Sequence, residues 1–211
     1  MVYAERSGEI LGVMMRIDSR RIALSGWPKE TWSRLAGELA SLTPRPRTLI
    51  GPQSLMAELI PVLTSLIDCQ PKAIMDQNIM SLSQVTAPLE TRGEMRIANA
   101  QDSSLVSRWL MEFTDESLPM ERLEAQRARE LAEGKINRQQ VYLWCVEDTP
   151  VCTAQVSRPT RHAISIGAVY TSKRHRGRGY ASNLVAEISR RMLRTYKNCV
   201  LWTDRKNPTS N

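Results

Sequence analysis

The clearest hydrophobic pattern in the chain lies at residues 169–192, where a strand-like apolar run gives way to a helical one. The apolar run ends at Tyr170, and a short polar loop follows. Apolar residues then return at spacings of three and four, at Ala181, Leu184, Val185, Ile188 and Met192. This periodicity predicts an amphipathic helix. We therefore expect a strand, a loop and a helix in direct succession.

The pattern around this stretch predicts more strands than helices. We expect strands at Glu94–Ala98, Val141–Val146, Val151–Val156, from Ile164 to Val169, and at Cys199–Trp202. A helix should begin at Asp102 or Ser103. The charged stretch 119–135 has a thin apolar stripe and predicts a helix lying on the surface. The sequence Glu147-Asp-Thr-Pro150 predicts a hairpin turn.

The first part of the chain has shorter alternating segments. We expect strands at Leu11–Ile17, Arg21–Ser25 and Thr48–Ile50, helices at 28–42 and 55–66, and one or two strands within 72–85. Thr86–Gly93 contains Pro and Gly but has no periodicity, which is typical of a linker. We therefore predict a small α/β domain at 1–93 and a second domain at 94–211.

Composition narrows the class of protein. The chain has 211 residues, of which 42% are hydrophobic and 24% are charged, as in ordinary globular proteins. Its net charge of +7 favours anionic partners. We find no apolar run long enough for a membrane helix, no secretion pattern, and no cysteine spacing typical of disulfides or metal sites. These features predict a cytoplasmic protein without a metal and without a membrane partner.

The loop after Tyr170 has the composition of an anion site. It carries four cations, Lys173, Arg174, Arg176 and Arg178, and two glycines, Gly177 and Gly179. The first amides of the following helix lack partners within the helix and carry the positive end of its dipole. Glycine allows the main chain to approach a phosphate. The Walker spacing is absent, and Ser182 stands where a dinucleotide-binding loop has its third glycine.

The pattern Arg-x-x-Gly-x-Gly-x-Ala, formed by Arg174, Gly177, Gly179 and Ala181, resembles the acetyl-coenzyme A motif of the GNAT N-acetyltransferase superfamily. Residues 201–211 resemble the next strand and turn of that family, so the resemblance covers about 94–211. It implies an α/β (α+β) fold with a mixed, mostly antiparallel sheet flanked by helices. Here the smaller α/β domain would precede that fold.

The resemblance also implies where acetyl-coenzyme A binds. The strand ending at Thr171 should splay away from 199–203 and receive the pantetheine arm, and an amide of Val169 or Tyr170 should face the thioester oxygen. The pyrophosphate should lie on the amides of 176–182. The implied cofactor-binding residues are Val169, Tyr170, Thr171, Arg174, Arg176, Gly177, Arg178, Gly179, Tyr180, Ala181, Ser182 and Asn207.

The expected reaction moves an acetyl group to a primary amine by direct attack, through a tetrahedral intermediate. The acceptor would be a small molecule or a peptide amine, and a homodimer is one expected assembly. The family's proton-donating tyrosine falls beyond Asn211, so we expect a chain truncated at its C-terminus and assign no catalytic residue. Glu147, His162 and His175 are weak candidates for the general base.

Two other interpretations stay open. The chain could be a non-catalytic module that binds coenzyme A or a partner protein. Less favoured is a nucleic-acid-binding protein that uses residues 173–178, since the glycines would then have no role. The order of elements in 1–93 partly repeats that of 94–211, so the first domain could be a degenerate acyltransferase half. It has no glycine motif, and we predict no cofactor there.

Overall fold

The computed structural model describes residues 1–117 and 122–207. It divides the chain into two compact units, Met1–Ile74 and Met75–Asn211. Each unit has its own sheet. No helix in the described residues combines the length and apolar character needed to cross a membrane.

The first unit is a four-stranded sheet covered by two helices. Its sheet order is β1-β2-β3-β4, with β1, β2 and β3 antiparallel and β4 parallel to β3. A core of nine buried residues, including Ile22, Leu35 and Leu59, joins the sheet to both helices. Its elements are β1 (Val2–Arg6), β2 (Glu9–Arg16), β3 (Arg21–Leu24), α1 (Trp32–Ser41), β4 (Thr48–Ile50) and α2 (Gln53–Leu66).

The second unit contains a six-stranded sheet in the order β5-β10-β9-β8-β7-β6. Neighbouring strands are antiparallel except β9 and β10, which are parallel. Its elements are β5 (Gln77–Leu82), β6 (Glu94–Ile97), α3 (Ser103–Ser117), α4 (Ala125–Asn137), β7 (Val141–Val146), β8 (Thr149–Ser157), β9 (Ala163–Thr171), α5 (Tyr180–Met192) and β10 (Asn198–Asp204).

Helices cover both faces of this second sheet. On β7, Tyr142 and Trp144 belong to the core shared with α5, whereas Val141 and Leu143 belong to the core shared with α3 and α4. Successive side chains of a strand point to opposite faces, so the two cores lie on opposite sides of the sheet. The predicted fold class, a mixed and mostly antiparallel sheet flanked by helices, is confirmed.

The structure differs from the sequence prediction in three places. The chain divides after Ile74, before the predicted boundary at residue 93, because β5 pairs along its whole length with β10. Strand β1 was not predicted. The charged helix begins at Ala125 and packs on α3 through Ala132 and Ile136; Met120, assigned to its apolar stripe, lies outside the described residues.

Candidate functional site

The parallel strands β9 and β10 separate at one end. They pair from Ala163 with Asn198 to Ile166 with Leu201, and the pairing stops there. Strand β9 nevertheless continues to Thr171 beside β8, and β10 continues to Asp204 beside β5. The edge of β9 that faced β10 is therefore left without a neighbouring strand beyond Ile166 in the described chain.

A bulge in β9 accompanies this separation. Thr153 pairs with Tyr170 and Gln155 with Gly167, so Ala154 of β8 opposes both Ala168 and Val169. Ala168 has a φ of +46°, a conformation that costs energy for any residue with a β-carbon. Because a bulge bends its strand and increases the local twist, it accounts for the departure of β9 from β10.

The end of β9 leads into the glycine loop, residues 172–179. A 3-10 turn at Lys173–His175 is followed by Gly177 and Gly179, with φ of +74° and +79°. A β-carbon on Gly177 would meet no atom within 4 Å. Gly179 caps α5 in the left-handed conformation, and the first helical bond runs from the Asn183 amide to the Gly179 carbonyl at 3.1 Å. The loop thus exposes its main chain at the two glycines.

The first amides of α5 are available for an anion. Tyr180, Ala181 and Ser182 precede the first residue that donates a helical bond, and no side chain among the described residues caps this end of the helix. The side chain of Tyr180 is buried in the core beneath α5. Three N–H groups and the positive end of the helix dipole therefore meet at the glycine loop.

The basic side chains of the loop divide into two groups. Arg174 and Arg178 are exposed. Arg176 turns back toward α3: its Nη2 donates to Glu116 at 2.8 Å and its Nε donates to the Thr171 carbonyl at 3.0 Å. Lys173 Nζ also lies 3.5 Å from Glu116. Arg176 was predicted to contact the pyrophosphate through its amide; its side chain ties the loop to α3.

His175 lies within this positive field. Burial lowers its pKa, and the charges of Arg174 and Arg178 lower it further. The imidazole is therefore held neutral to a lower pH than an isolated histidine.

Tyr170 points away from the opening between β9 and β10. Its buried ring packs against Trp109, and its hydroxyl donates to Glu112 Oε2 at 2.7 Å. Burial, together with the bond to Glu112, raises the pKa of Tyr170 to about 12, so the phenol remains a neutral donor. A predicted cofactor-binding residue thus has its side chain in the α3 core.

Sequence reasoning missed the acidic side chains that hold this end of β9. Glu112 and Glu116 lie one turn apart near the C-terminal end of α3, where the helix dipole disfavours negative charge. Acidic residues near the C-terminal end of a helix could have predicted that basic or hydrogen-bond-donating partners lie close to them.

The weak candidates for a general base lie apart from each other. Glu147 is exposed in the turn between β7 and β8. His162 precedes β9, so that the nine-residue strand, about 30 Å long at about 3.3 Å per residue, separates it from the glycine loop. Asn207 follows β10, and its amide donates to the Asp204 carbonyl at 2.9 Å. Within the described residues, no three His, Cys, Asp or Glu side chains come together as metal ligands.

Comparisons with known proteins agree with this geometry. Residues 104–211 match the acetyltransferase (GNAT) family. An acetyltransferase of the GNAT family from Colwellia psychrerythraea has a similar structure, with a TM-score of 0.60 and 9% identity over 99% of this chain and 76% of that one. A GCN5-related N-acetyltransferase from Sphaerobacter thermophilus gives a TM-score of 0.59 and 16% identity over 96% and 70% of the two chains. No curated protein sequence matches the chain.

The fold and the family match together define the class of protein. The chain belongs to the GNAT acetyltransferase family. Membership supports acyl transfer from acetyl-coenzyme A in general and a site that takes this donor with an acceptor.

Proposed function

We propose that residues 94–211 carry an N-acetyltransferase that moves the acetyl group of acetyl-coenzyme A to a primary amine. The observation that carries this proposal is the edge of β9 from Gly167 to Thr171, which does not pair with β10 and leads directly into the glycine loop. A strand edge offers N–H and C=O groups in a row, which suits the amides of a pantetheine arm. The loop at its end suits a pyrophosphate.

We assign the pyrophosphate to the start of α5. The amides of Tyr180, Ala181 and Ser182 would hold it, Gly177 and Gly179 would allow close approach, and Arg174 and Arg178 would supply charge. Arg176 would contribute through its main chain only, because its side chain is bonded to Glu116. Asn207 follows β10 at the same end of the sheet and stays an assigned contact.

The donor to the thioester oxygen is best assigned to Val169. The Ser172 amide donates to the Val151 carbonyl of β8 at 3.1 Å. Successive main-chain N–H groups of a strand point to opposite edges. The N–H of Tyr170 therefore also faces β8, and the N–H of Thr171 faces the opening. Val169 follows the bulge at the open edge, where its amide can meet a developing oxyanion.

The proposed reaction needs no further reactant. The amine nitrogen attacks the thioester carbon through a tetrahedral intermediate, the C–S bond breaks, and the proton lost by the amine balances the one gained by the thiolate. The chain's contribution is to hold the donor along β9 and to present the Val169 amide, since positioning supplies much of the acceleration. We expect a small-molecule or peptide amine acceptor and a cytoplasmic location.

Calorimetric titration with acetyl-coenzyme A tests the proposal. Gly177→Glu should abolish binding, because it adds a negative charge and a strained β-carbon where the pyrophosphate would lie. Gly8→Glu is the matched control: Gly8 has a φ of +84° and open surroundings too, but lies in the β1–β2 turn. Equal losses in both variants, or an intact affinity in Gly177→Glu, would contradict the assignment.

The two histidines of the chain provide a second test. A bound phosphate should raise the pKa of His175, since it offsets the charges of Arg174 and Arg178 that now lower it. We expect this upward shift of the His175 pKa in pH titrations followed by NMR with and without coenzyme A. The NMR signals of the His162 imidazole, at the opposite end of β9, should not change when coenzyme A is added. A folded chain that ignores coenzyme A but binds oligonucleotides with steep salt dependence would favour the nucleic-acid interpretation.

A further inference from the structure

Residues 83–93, here called the strap, connect the two edges of the second sheet. They follow β5 at one edge and lead into β6 at the other. Between these edges the strap contacts α5 and the glycine loop. It precedes residues 104–211, which match the family. Residues 86–93 of the strap were predicted to be a linker, yet they reach the site proposed above.

Both ends of the strap are fixed. Leu82, at the end of β5, packs against the core beneath α5. At the other end, the indole of the buried Trp144 donates to the Arg92 carbonyl at 2.9 Å. Gly93 has a φ of +106°, and a β-carbon there would come within 2.4 Å of the Cys145 carbonyl oxygen. Only glycine fits at this point, so the path of the strap is closely constrained.

Two hydrogen bonds join the middle of the strap to the glycine loop and to the first turn of α5. The Thr91 hydroxyl donates to the Arg178 carbonyl at 2.9 Å. The Asn183 side chain donates to the Leu89 carbonyl at 2.9 Å and to the Gly179 carbonyl at 3.0 Å. Elsewhere the strap is loosely packed on α5, and a cavity of about 270 Å³ lies between them, lined by Val85, Thr86, Pro88 and Ser182 among others. The polar contacts are therefore concentrated at the loop.

The hydrogen bond from Thr91 to the Arg178 carbonyl also fixes the direction of the Gly179 N–H, because the two groups belong to the same peptide bond. A trans peptide is planar, so its C=O and N–H groups point in opposite directions. When Thr91 holds the Arg178 carbonyl toward the strap, the N–H of Gly179 must point away from the strap. Glycines flank Arg178 on both sides, and their conformational freedom would otherwise let this plane rotate.

We propose that Thr91 is a positioning residue for cofactor binding, which orients the Gly179 amide toward the pyrophosphate through the Arg178 carbonyl. The inference rests on the proposed function, because it assumes that the glycine loop binds a pyrophosphate. It adds a residue from outside the family-matched region to the phosphate site.

The test compares two variants of Thr91 in the full chain. Thr91→Val removes the hydroxyl with little change in shape, and Thr91→Ser retains it. The dissociation constants of coenzyme A and of inorganic pyrophosphate should both rise about three- to tenfold in Thr91→Val, the effect of one net hydrogen bond. Thr91→Ser should restore wild-type affinity. In NMR spectra of the free protein, the Gly179 amide should shift in Thr91→Val and not in Thr91→Ser.

Thr64→Val serves as the matched control. The Thr64 hydroxyl also donates to a main-chain carbonyl, that of Pro61 at 3.0 Å, but it lies on α2 of the first unit. This variant should leave both dissociation constants unchanged. If Thr91→Val binds as tightly as wild type while Gly177→Glu does not bind, the site stands and the role of Thr91 is refuted. If wild type binds neither ligand, the proposed function fails and the inference fails with it.

Discussion

The two units of the chain share one topology, yet they differ at the place where the second unit opens. In each, three antiparallel strands lead through a helix to a fourth strand parallel to the third: β1-β2-β3-α1-β4 and β7-β8-β9-α5-β10. The pairing of β3 with β4 runs to Ala23, one residue before the end of β3, and to Ile50, the last residue of β4. Strands β9 and β10 instead separate in mid-strand. Topology alone therefore does not make a binding groove.

The junction between the third strand and the helix explains the difference. In the first unit β2 pairs with β3 without a bulge, and the connection to α1 contains Trp27 and Pro28. The Trp27 ring packs so closely on Gly12 that a β-carbon there would lie 2.9 Å from it. In the second unit a bulge at Ala168 and exposed glycines stand at the same point. The shared topology favours the interpretation of the first domain as a degenerate acyltransferase half, which stays a prediction.

The largest expected effect comes from making β9 as regular as β3. Deletion of Ala168 removes the extra residue and lets Val169 oppose Ala154 in an unbroken ladder. Strand β9 could then continue beside β10, and the affinity for coenzyme A should fall by about a hundredfold, or about 2.8 kcal/mol. Calorimetry measures this change.

The control for this deletion is Ala168→Gly. Glycine keeps the bulge and adopts a φ of +46° without strain, so coenzyme A should bind as in wild type. Tight binding after deletion of Ala168 would show that the bulge does not create the groove.

Trp27→Ala is the converse experiment in the first unit. It removes the partly buried ring that closes the β3–α1 junction, and the free energy of unfolding should fall by about 2 kcal/mol. Chemical denaturation measures the loss. The affinity for coenzyme A should not change, and any gain or loss of binding would contradict the assignment of the site to the second unit.

Asp102 lies at the corner between β6 and α3, which precedes the elements that the two units share. A substitution of Asp102 therefore tests a feature that only the second unit has. Its carboxylate accepts hydrogen bonds from both Nη groups of Arg96, at 2.7 and 2.8 Å, and from the main-chain N–H of Asn99. The hydrogen bonds from Arg96, and to a smaller extent the one from the Asn99 main-chain N–H, hold the pKa of Asp102 below its usual value. Because the folded pKa is the lower one, this stabilisation is present above the unfolded pKa, about 4, and disappears as the pH falls further.

Asp102→Asn should therefore cost about 1.5 kcal/mol at pH 7, and its difference from wild type should shrink below about pH 4. Urea denaturation at pH 7 and below about pH 4 measures the loss of stability and its dependence on pH. Asp115→Asn, an exposed change on α3, is the control. A loss that does not depend on pH would show that packing, rather than the charge of Asp102, holds the corner.

Local sequence patterns were sufficient for most of the site. The strand, glycine loop and helix follow from periodicity and from residue types that act within a few positions, and the β7–β8 hairpin was found in the same way. Strand β1 was missed because none of its side chains is buried, so the chain shows no alternation there. Its signal was the turn at Ser7 and Gly8, both at positive φ.

Features set by distant parts of the chain could not be predicted. Strand β5 pairs with β10, more than 100 residues later in the sequence, so it belongs to the second unit. The predicted domain boundary therefore lay too far along the sequence. Tyr170 was predicted to meet the cofactor through its main chain, but the position of its ring in the α3 core was not predicted. One residue inserted at the bulge decides which face of the sheet that ring occupies. Likewise, nothing local indicates that Thr91 reaches Arg178.

The smallest predicted effect concerns the contact between α3 and the glycine loop. Glu116 pairs with Arg176 and Lys173, but all three side chains are about one third or more exposed, so the pairs contribute little to stability. Glu116→Gln removes a negative charge near the proposed pyrophosphate and leaves two cations unpaired. The dissociation constant of coenzyme A should fall about twofold at low salt, and the gain should fade as salt screens the charges. Glu133→Gln, on α4, is the control. A tenfold weaker affinity in Glu116→Gln would instead mean that Glu116 holds the loop in its binding conformation.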